Sequence, residues 1–200
     1  RTREQITTGN AATTCTSGIT DMSQLFEFRD TFNENISSWD VSNVTDMGKI
    51  FQNAEIFNQP LGNWNVSNVT NMYYMFGNYS QFNQPIGNWY TSNVTDMSYM
   101  FYYDNDFNQP IGNWNTENVL NMNSMFRGAP RFNQPIGNWN VSNVTNMYYM
   151  FAYSRAFNQP IENWNTSKVT NMRGMFYEAN SFNQSIGTWD TSNVVFMESM

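Results

Sequence analysis

The sequence has no histidine, a single cysteine and only three leucines, and charged residues make up 12% of its 200 positions. Without histidine, the chain lacks the side chain most often used as a general base or metal ligand. The lone Cys15 excludes a disulfide framework within the chain, so it is interpreted as a small, partly buried residue, with a bond to another chain as the alternative. No apolar run approaches the roughly 20 residues of a membrane-spanning helix. No secretory signal is visible, although a start at Arg1 is compatible with one already removed.

The charge of the chain is acidic, with nine Lys and Arg against 16 Asp and Glu and a net charge of −7. The electrostatic attraction to phosphate that drives binding to nucleic acids and anionic membranes is missing, so neither a nucleic-acid partner nor membrane insertion is expected. The apolar share depends on 16 Phe, 14 Met, 11 Tyr and 7 Trp. Asn, Ser and Thr supply the polarity, which predicts a hydrogen-bonding surface with few charges.

A 25-residue period runs through the chain without an insertion or deletion. Phe recurs from Phe32 to Phe182, Trp from Trp39 to Trp189 and Met from Met22 to Met197. The segment F-N-Q-P-I-G-N-W is repeated at Phe82–Trp89, Phe107–Trp114 and Phe132–Trp139. Positions that hold in every copy are predicted to lie inside the fold. The segments after the second Phe share nothing between copies and are predicted to face solvent.

Each unit contains two structural signals. Pro85 and Gly87 exclude a helix from Phe82–Trp89 and limit any strand there to a few residues. The following apolar residues have the i, i+3, i+6, i+7 spacing of one helical stripe: Val94, Met97, Met100 and Phe101. A helix of two or three turns is not stable alone in water. Stacked units would bury Phe on Phe, Trp on Trp and Met on Met, so that stability becomes a sum over neighbours.

The repeat resembles a known family. Its pattern F-N-Q-P-I-x-x-W-x-x-S-N-V-T-x-M-x-x-M-F, with W-D-V-S-N-V-T-D-M at Trp39–Met47, is similar to the repeat of the BspA-like leucine-rich-repeat surface proteins of the DUF285 type, and the match covers Thr16 to Met200. The resemblance implies an α/β, right-handed leucine-rich-repeat-like solenoid of about eight 25-residue coils. It places short parallel strands near Asn83–Trp89 and short helices near Thr95–Phe101. It also implies a secreted or cell-surface location and a role in adhesion, and it transfers no catalytic residues.

The two ends depart from the repeat. Residues 1–18 are expected to form a degenerate N-terminal cap, because Thr7, Ala11 and Thr14 stand where Phe, Ile and Trp would be. Residues 19–200 are expected to form the solenoid of 25-residue repeats, with an uncapped C-terminal repeat. Either the chain continues past Met200, or another molecule covers the last apolar face, and end-to-end stacking of chains would then produce a filament.

Enzyme chemistry finds little support in the sequence. There is no His and no phosphate-cradling glycine loop. Carboxylates occupy columns in which other copies carry Asn, which is typical of caps or solvated sites: Asp40, Asp46, Asp96 and Asp190. We expect no catalytic residues, no metal site and no cofactor. Calcium bound by the Asp and Asn columns is the alternative, since oxygen ligands suit it, but no D-x-D-type loop is present.

Two asparagine columns stand out. The Asn after each Phe is predicted to form a structural ladder between turns: Asn33, Asn58, Asn83, Asn108, Asn133, Asn158 and Asn183.

Several N-x-S/T sequons are candidates for glycosylation if the host attaches sugars, and Asn78, which lies in a variable segment, is the best placed of them. The candidates are Asn78, Asn43, Asn68, Asn93 and Asn143.

Ten of the eleven tyrosines lie in the half of the unit that holds the predicted helix and the variable segment. Because most of these positions do not repeat, many are expected to be partly exposed on one side, where aromatic arrays mark surfaces that meet partners or sugars. The predicted partner-binding residues are Tyr73, Tyr74, Tyr99, Tyr102, Tyr103, Tyr148, Tyr149 and Tyr153. The alternative is that these rings only shield the helix layer.

The predicted function is that of a non-enzymatic extracellular or cell-surface repeat protein, acting in adhesion or as a structural element that can form filaments. Its partner would be another copy of itself, joined end to end or laterally, or a host or extracellular protein or glycan. The alternative is a carbohydrate-binding module that uses an exposed Tyr/Asn ridge. An ice-binding face is a third hypothesis, suggested by a column interrupted at Leu120 and Val195: Thr45, Thr70, Thr95, Thr145 and Thr170.

Overall fold

The structure is a computed structural model that describes residues 2–200. The 25-residue units lie one on another in register, and isolated parallel bridges join each unit to the next, from Asp21 with Asp46 to Asn171 with Phe196. We call each unit that begins at the Phe of the F-N pair a coil. The full coils are 32–56, 57–81, 82–106, 107–131, 132–156 and 157–181.

The predicted fold class is wrong. Regular structure within residues 2–200 consists of the two 3-10 helices Arg3–Gln5 and Ala11–Thr13 and the isolated bridges, without an α-helix or a sheet of extended strands. The chain is therefore not the predicted α/β, right-handed leucine-rich-repeat-like solenoid. The short parallel strands expected near Asn83–Trp89 and the helices expected near Thr95–Phe101 are absent from it. Each coil is built from turns.

Left-handed residues explain why no helix forms. In coil 82–106, Tyr99 has φ 58° and Tyr103 has φ 52°, so a run of right-handed helical residues is interrupted twice. Such residues cost about 1–2 kcal/mol each. Hydrogen bonds to the next coil offset this cost, because the N–H groups of alternate residues donate to its carbonyls at 2.8–3.1 Å: Met97, Tyr99, Phe101 and Tyr103. The intervening N–H groups close tight turns, whose three-residue spacing imitates a helical stripe.

The F-N-Q-P-I-G-N-W segment does not form a strand because its backbone groups have other partners. The N–H of Asn83 donates to the side-chain Oδ1 of Asn58 at 3.0 Å, and the N–H of Trp89 closes a turn onto the Ile86 carbonyl at 3.2 Å. The glycine of this segment allows the next coil to approach closely. In the copy that has Leu in place of Ile, a Cβ on Gly62 would lie only 2.8 Å from the Pro85 carbonyl oxygen of the next coil.

The core consists of the repeated columns, as predicted. The ring centroids of Phe101 and Phe107 are 3.7 Å apart, and the rings are stacked. Trp89 and Trp114, in consecutive coils, are also stacked, with 6.3 Å between their ring centroids. The indole N–H of Trp114 also donates to the Ile86 carbonyl of the preceding coil at 3.0 Å. The methionines from Met22 to Met172 in the first Met column are fully buried. The prediction that the fixed positions stack inside the fold is confirmed for the Phe, Trp and Met columns of the full coils. The expectation that the variable segments face solvent is wrong for buried residues such as Asp104, Ala129 and Ser154.

The asparagine after the first Phe joins each coil to both of its neighbours. Asn108 Oδ1 accepts hydrogen bonds from the backbone N–H of Asn133 at 3.0 Å and from Nε2 of Gln134 at 2.9 Å. The N–H of Asn108 donates in turn to Oδ1 of Asn83 at 3.0 Å. The backbone bond recurs along the column, at Asn33, Asn58, Asn83, Asn108, Asn133, Asn158 and Asn183.

The first residues of the chain pack against the first coil. Arg1 of the predicted cap 1–18 lies outside the described residues. Ile6 and Ala11 are buried, and the Ala11 carbonyl accepts a hydrogen bond from the Trp39 indole at 3.0 Å, as the Ile86 carbonyl does for Trp114. Cys15 is exposed, which corrects the expectation that it is partly buried.

Replacing Asn108 with Ala should destabilise the stack by about 1–3 kcal/mol, because the N–H of Asn133 then loses its acceptor. Urea unfolding followed by tryptophan fluorescence measures the change. Asn113→Ala is the matched control, since the Asn113 side chain is exposed and has no hydrogen bond among residues 2–200. Equal losses in the two variants would contradict the role of the ladder.

Candidate functional site

One side of the stack carries ten tyrosines, which we call the tyrosine ridge. Eight of them are the predicted partner-binding residues, and all eight are half-buried: Tyr73, Tyr74, Tyr99, Tyr102, Tyr103, Tyr148, Tyr149 and Tyr153. Tyr79 and Tyr177 complete the ridge and are 58% and 39% exposed. The ridge follows the turn segments that begin near the first Met of each coil.

The ridge consists of two groups of touching rings. In the first group, Tyr74 stacks on Tyr99 of the next coil with 4.7 Å between centroids and 11° between planes. Tyr102 contacts Tyr103 edge to face at 4.6 Å. In the second group, Tyr148 contacts Tyr149 at 4.5 Å, and Tyr153 contacts Tyr177 at 5.4 Å. Aromatic contacts of these kinds add about 0.5–1.5 kcal/mol each beyond burial.

Arg127 joins the two groups, a role that was not predicted from the sequence. Its guanidinium carbon lies 4.7 Å from the ring centroid of Tyr149 and 5.8 Å from that of Tyr102. Its Nε is buried and has no hydrogen-bond partner among residues 2–200. The period could have indicated the position, because Arg127 stands one coil after Tyr102 in the same column.

Glycines beneath the ridge let its rings lie flat. Gly128 has φ 70°, and a Cβ at this position would come within 2.6 Å of Cδ1 of Tyr103. Tyr149 lies against Gly174 in the same way. In both pairs the glycine stands one coil after the tyrosine in the same column, so a small residue in one coil makes room for a ring in the preceding one.

Two ridge tyrosines in contact with other rings, Tyr74 and Tyr102, have raised pKa values. Burial raises the pKa of Tyr74, and the neighbouring Tyr102 and Tyr99 raise it further. Burial also raises the pKa of Tyr102, although Arg127 acts in the opposite direction. These hydroxyls therefore stay protonated at neutral pH, and each remains both a hydrogen-bond donor and an acceptor.

The aspartates of the Asp/Asn columns make the same turn contacts as asparagines. Asp96 Oδ1 accepts the backbone N–H of Ser98 at 2.8 Å, and Asn121 Oδ1 accepts that of Asn123 at 3.1 Å. Corresponding bonds to the residue two positions later are made by the other three aspartates singled out above: Asp40, Asp46 and Asp190. Residues 2–200 contain no cluster of three or more acidic or cysteine side chains that could hold a metal ion.

The sequon asparagines bond to the coil before them. Nδ2 of Asn93 donates to the Ser67 carbonyl at 2.7 Å, and that of Asn78 donates to Asn53 Oδ1 at 3.1 Å. The other glycosylation candidates donate to a backbone carbonyl as Asn93 does: Asn43, Asn68 and Asn143. These amides thus have a packing role that the sequence alone did not reveal, and their glycosylation stays a prediction.

The exposed threonine column is also engaged in contacts between coils. The Thr95 hydroxyl donates to the Thr70 carbonyl at 3.2 Å, and the Thr70 hydroxyl donates to the Thr45 carbonyl at the same distance. Thr145 and Thr170 make the same contact with the residues before them in the column. Each hydroxyl therefore donates its hydrogen to a backbone carbonyl of the protein, and its oxygen can still accept a hydrogen bond.

Asp104 is a fully buried carboxylate directly after two ridge tyrosines. Its Oδ1 accepts hydrogen bonds from the N–H groups of Asp106 and Phe107, both at 3.1 Å. Its Oδ2 has no hydrogen-bond partner in the part of the chain that the structure describes. Burial raises the pKa of Asp104 well above its usual value, against the two backbone donors that lower it. The preceding coil has Tyr79 at the equivalent place, and the other full coils have Ala or Ser there, including Ala129 and Ser154.

The raised pKa predicts a pH effect on stability. The folded state favours protonated Asp104, so its contribution is full below the ordinary carboxyl pKa of about 3.9 and is lost as the pH rises through the folded value. Asp104→Asn keeps the acceptor and removes the charge. We expect it to match the wild type near pH 4 and to be more stable by about 1–3 kcal/mol at pH 8.

Denaturant unfolding at several pH values measures this difference. The exposed Asp190→Asn is the control, because the backbone N–H and hydroxyl of Ser192 lower the pKa of Asp190. The stability of Asp190→Asn relative to the wild type should therefore not increase as the pH rises. A constant difference between Asp104→Asn and the wild type from pH 4 to pH 8 would contradict the prediction.

Comparison with known proteins identifies the repeat. No helix among residues 2–200 is long and apolar enough to cross a membrane. A search of curated proteins finds no match. A family model described as "Mycoplasma protein of unknown function, DUF285" matches residues 3–111 and again residues 102–200. The two matches span almost the whole chain and confirm the family indicated by the Trp39–Met47 motif, so this protein is a member of the DUF285 family.

Proposed function

We propose that this protein is a non-enzymatic repeat protein that acts outside the cell or at its surface, as an adhesive or structural element. The tyrosine ridge is its binding face. The single observation that carries this proposal is the ridge itself, in which eight half-buried and two exposed tyrosines form one surface beside a core that does not need them.

The core is complete without the ridge. Phe, Trp, Met and Ile columns fill the interior, with rings such as Phe101 and Phe107 fully buried. Tyrosines occupy the ridge columns in some coils, whereas Asn123, Ser124 and Gly128 occupy them in another. A position that tolerates such different residues is not required for stacking. Exposed Tyr and Arg side chains are also the residues most enriched where proteins contact partners.

The contacts between coils support a mechanical role. Backbone hydrogen bonds, stacked rings and the asparagine ladder all run along the stack, so neighbouring coils are joined at several points of each turn. Such a stack presents its side chains in fixed rows. Fixed rows lower the entropy lost when a partner binds, which favours a repeated, multivalent contact.

Replacing Tyr73, Tyr74, Tyr148 and Tyr149 with Ser should abolish association while the fold remains. Each ring contributes a large, rigid contact surface, so the combined loss should weaken binding by at least about 100-fold. Sedimentation velocity measures self-association, and adsorption to immobilised matrix proteins and polysaccharides measures adhesion. Near-UV circular dichroism checks the core.

Tyr90→Ser is the matched control, because Tyr90 is 76% exposed and lies off the ridge. This variant should associate like the wild type. Unchanged association of the fourfold variant, with a native circular dichroism spectrum, would refute the proposed binding face.

A further inference from the structure

Arg127 is a cation without a carboxylate partner at the middle of the ridge. Within residues 2–200, the ion pairs are Lys49 with Glu27 at 3.6 Å and Arg131 with Asp106 at 2.6 Å. Arg127 instead lies between the rings of Tyr102 and Tyr149, and its Nε has no hydrogen-bond partner. Because the Nε is buried, the bidentate contact with a carboxylate falls to the two Nη groups, which keep their planar arrangement against the aromatic rings.

The surroundings of Arg127 form a platform for an extended ligand. Coil 107–131 contributes no tyrosine to the ridge, and Asn123, Ser124 and Gly128 take the places of the rings. Tyrosines of the preceding coil lie on one side of Arg127, and those of the following coil lie on the other. Ser124 and Gly128 are buried, so a ligand that runs along the stack would meet aromatic rings, then the Arg127 guanidinium, then aromatic rings again.

We propose that the tyrosine ridge binds an acidic polysaccharide, and that Arg127 pairs with the carboxylate of a uronic acid unit. This inference rests on the proposed function, because it names the partner class of the same ridge. The apolar face of a pyranose ring packs on the half-buried tyrosine rings. The neutral phenols of residues such as Tyr74 and Tyr102 exchange hydrogen bonds with the sugar hydroxyls.

The geometry of the stack suits such a chain. Coils joined by parallel backbone contacts rise by about 4.8 Å each, which is close to the length of one sugar unit in a linear polysaccharide. Successive sugars can therefore meet equivalent columns on successive coils.

The local charge favours an anion despite the acidic chain. Arg155 and Arg173 are exposed in the coils after Arg127, and no carboxylate among the described residues pairs with them. Asp106 is occupied by Arg131. Glu178, the exposed acid in the column of Tyr153, lies at the far end of the ridge. At physiological ionic strength the Debye length is about 8 Å, so acids on other faces have little effect at Arg127.

Titration calorimetry of the whole chain tests the inference. The probes are hexamers of galacturonic, glucuronic and mannuronic acid, each paired with its carboxyl-reduced, neutral counterpart. We expect the wild type to bind at least one acidic hexamer more tightly than its neutral counterpart by about tenfold or more, as for a hydrogen bond to a charged group. Arg127→Ala should remove this preference, and Ala152 at the equivalent place in the next coil indicates that the variant folds.

Two further variants sharpen the test. Arg127→Lys keeps the charge but not the fork, so it should retain only part of the preference. Lys168→Gln removes one positive charge at an exposed position whose Nζ donates to Asn143 Oδ1 at 2.7 Å, and it should bind like the wild type.

The inference is overturned by any of three results: no binding of the acidic hexamers, equal binding of acidic and neutral forms, or a preference that survives Arg127→Ala. The fourfold tyrosine variant separates this failure from failure of the proposed function. If that variant loses association although the wild type binds no sugar, the ridge is a binding face for a protein or a second copy. If it associates normally, the proposed function fails as well.

Discussion

The structure depends on the sharing of backbone hydrogen bonds between coils. In the turn segment of each coil, alternate N–H groups donate to carbonyls of the next coil, as Tyr99 does to Asn123 at 2.8 Å. A single coil cannot supply these acceptors, and it cannot bury its own Phe, Trp and Met side chains either. Left-handed residues such as Tyr99 and Tyr103, which are unfavourable alone, are retained because they direct the N–H groups towards the neighbouring coil.

The period and the core could be predicted from the sequence, whereas the local backbone could not. Trp89 and Met97 recur every 25 residues, and a repeat without insertions forces equivalent residues to stack. The spacing of Val94, Met97, Met100 and Phe101 has two solutions, a short helix or successive turns. Backbone carbonyls of the next coil decide between the two, because they accept the N–H hydrogen bonds of the turns. The sequence of a single repeat does not reveal these acceptors.

The candidate site could also be predicted only in part. Variation between copies indicated that residues such as Tyr73 and Tyr148 are partly exposed, and they are half-buried on one side. The roles of Arg127 and Gly128 were not apparent, because each depends on a ring in a different coil. The burial of Asp104 could not be predicted either, because a lone acid in a variable segment suggests exposure, yet this one is fully buried.

The short reach of the contacts has a consequence for how the chain folds. Hydrogen bonds between full coils join residues 24 to 28 positions apart, whichever coil is considered. Every loop that closes during folding therefore has nearly the same modest entropy cost. A folding nucleus can form anywhere along the chain and grow as neighbouring coils add to it. A chain of this kind can be lengthened by further copies without slowing its first folding step, which makes length the property most easily changed during its evolution.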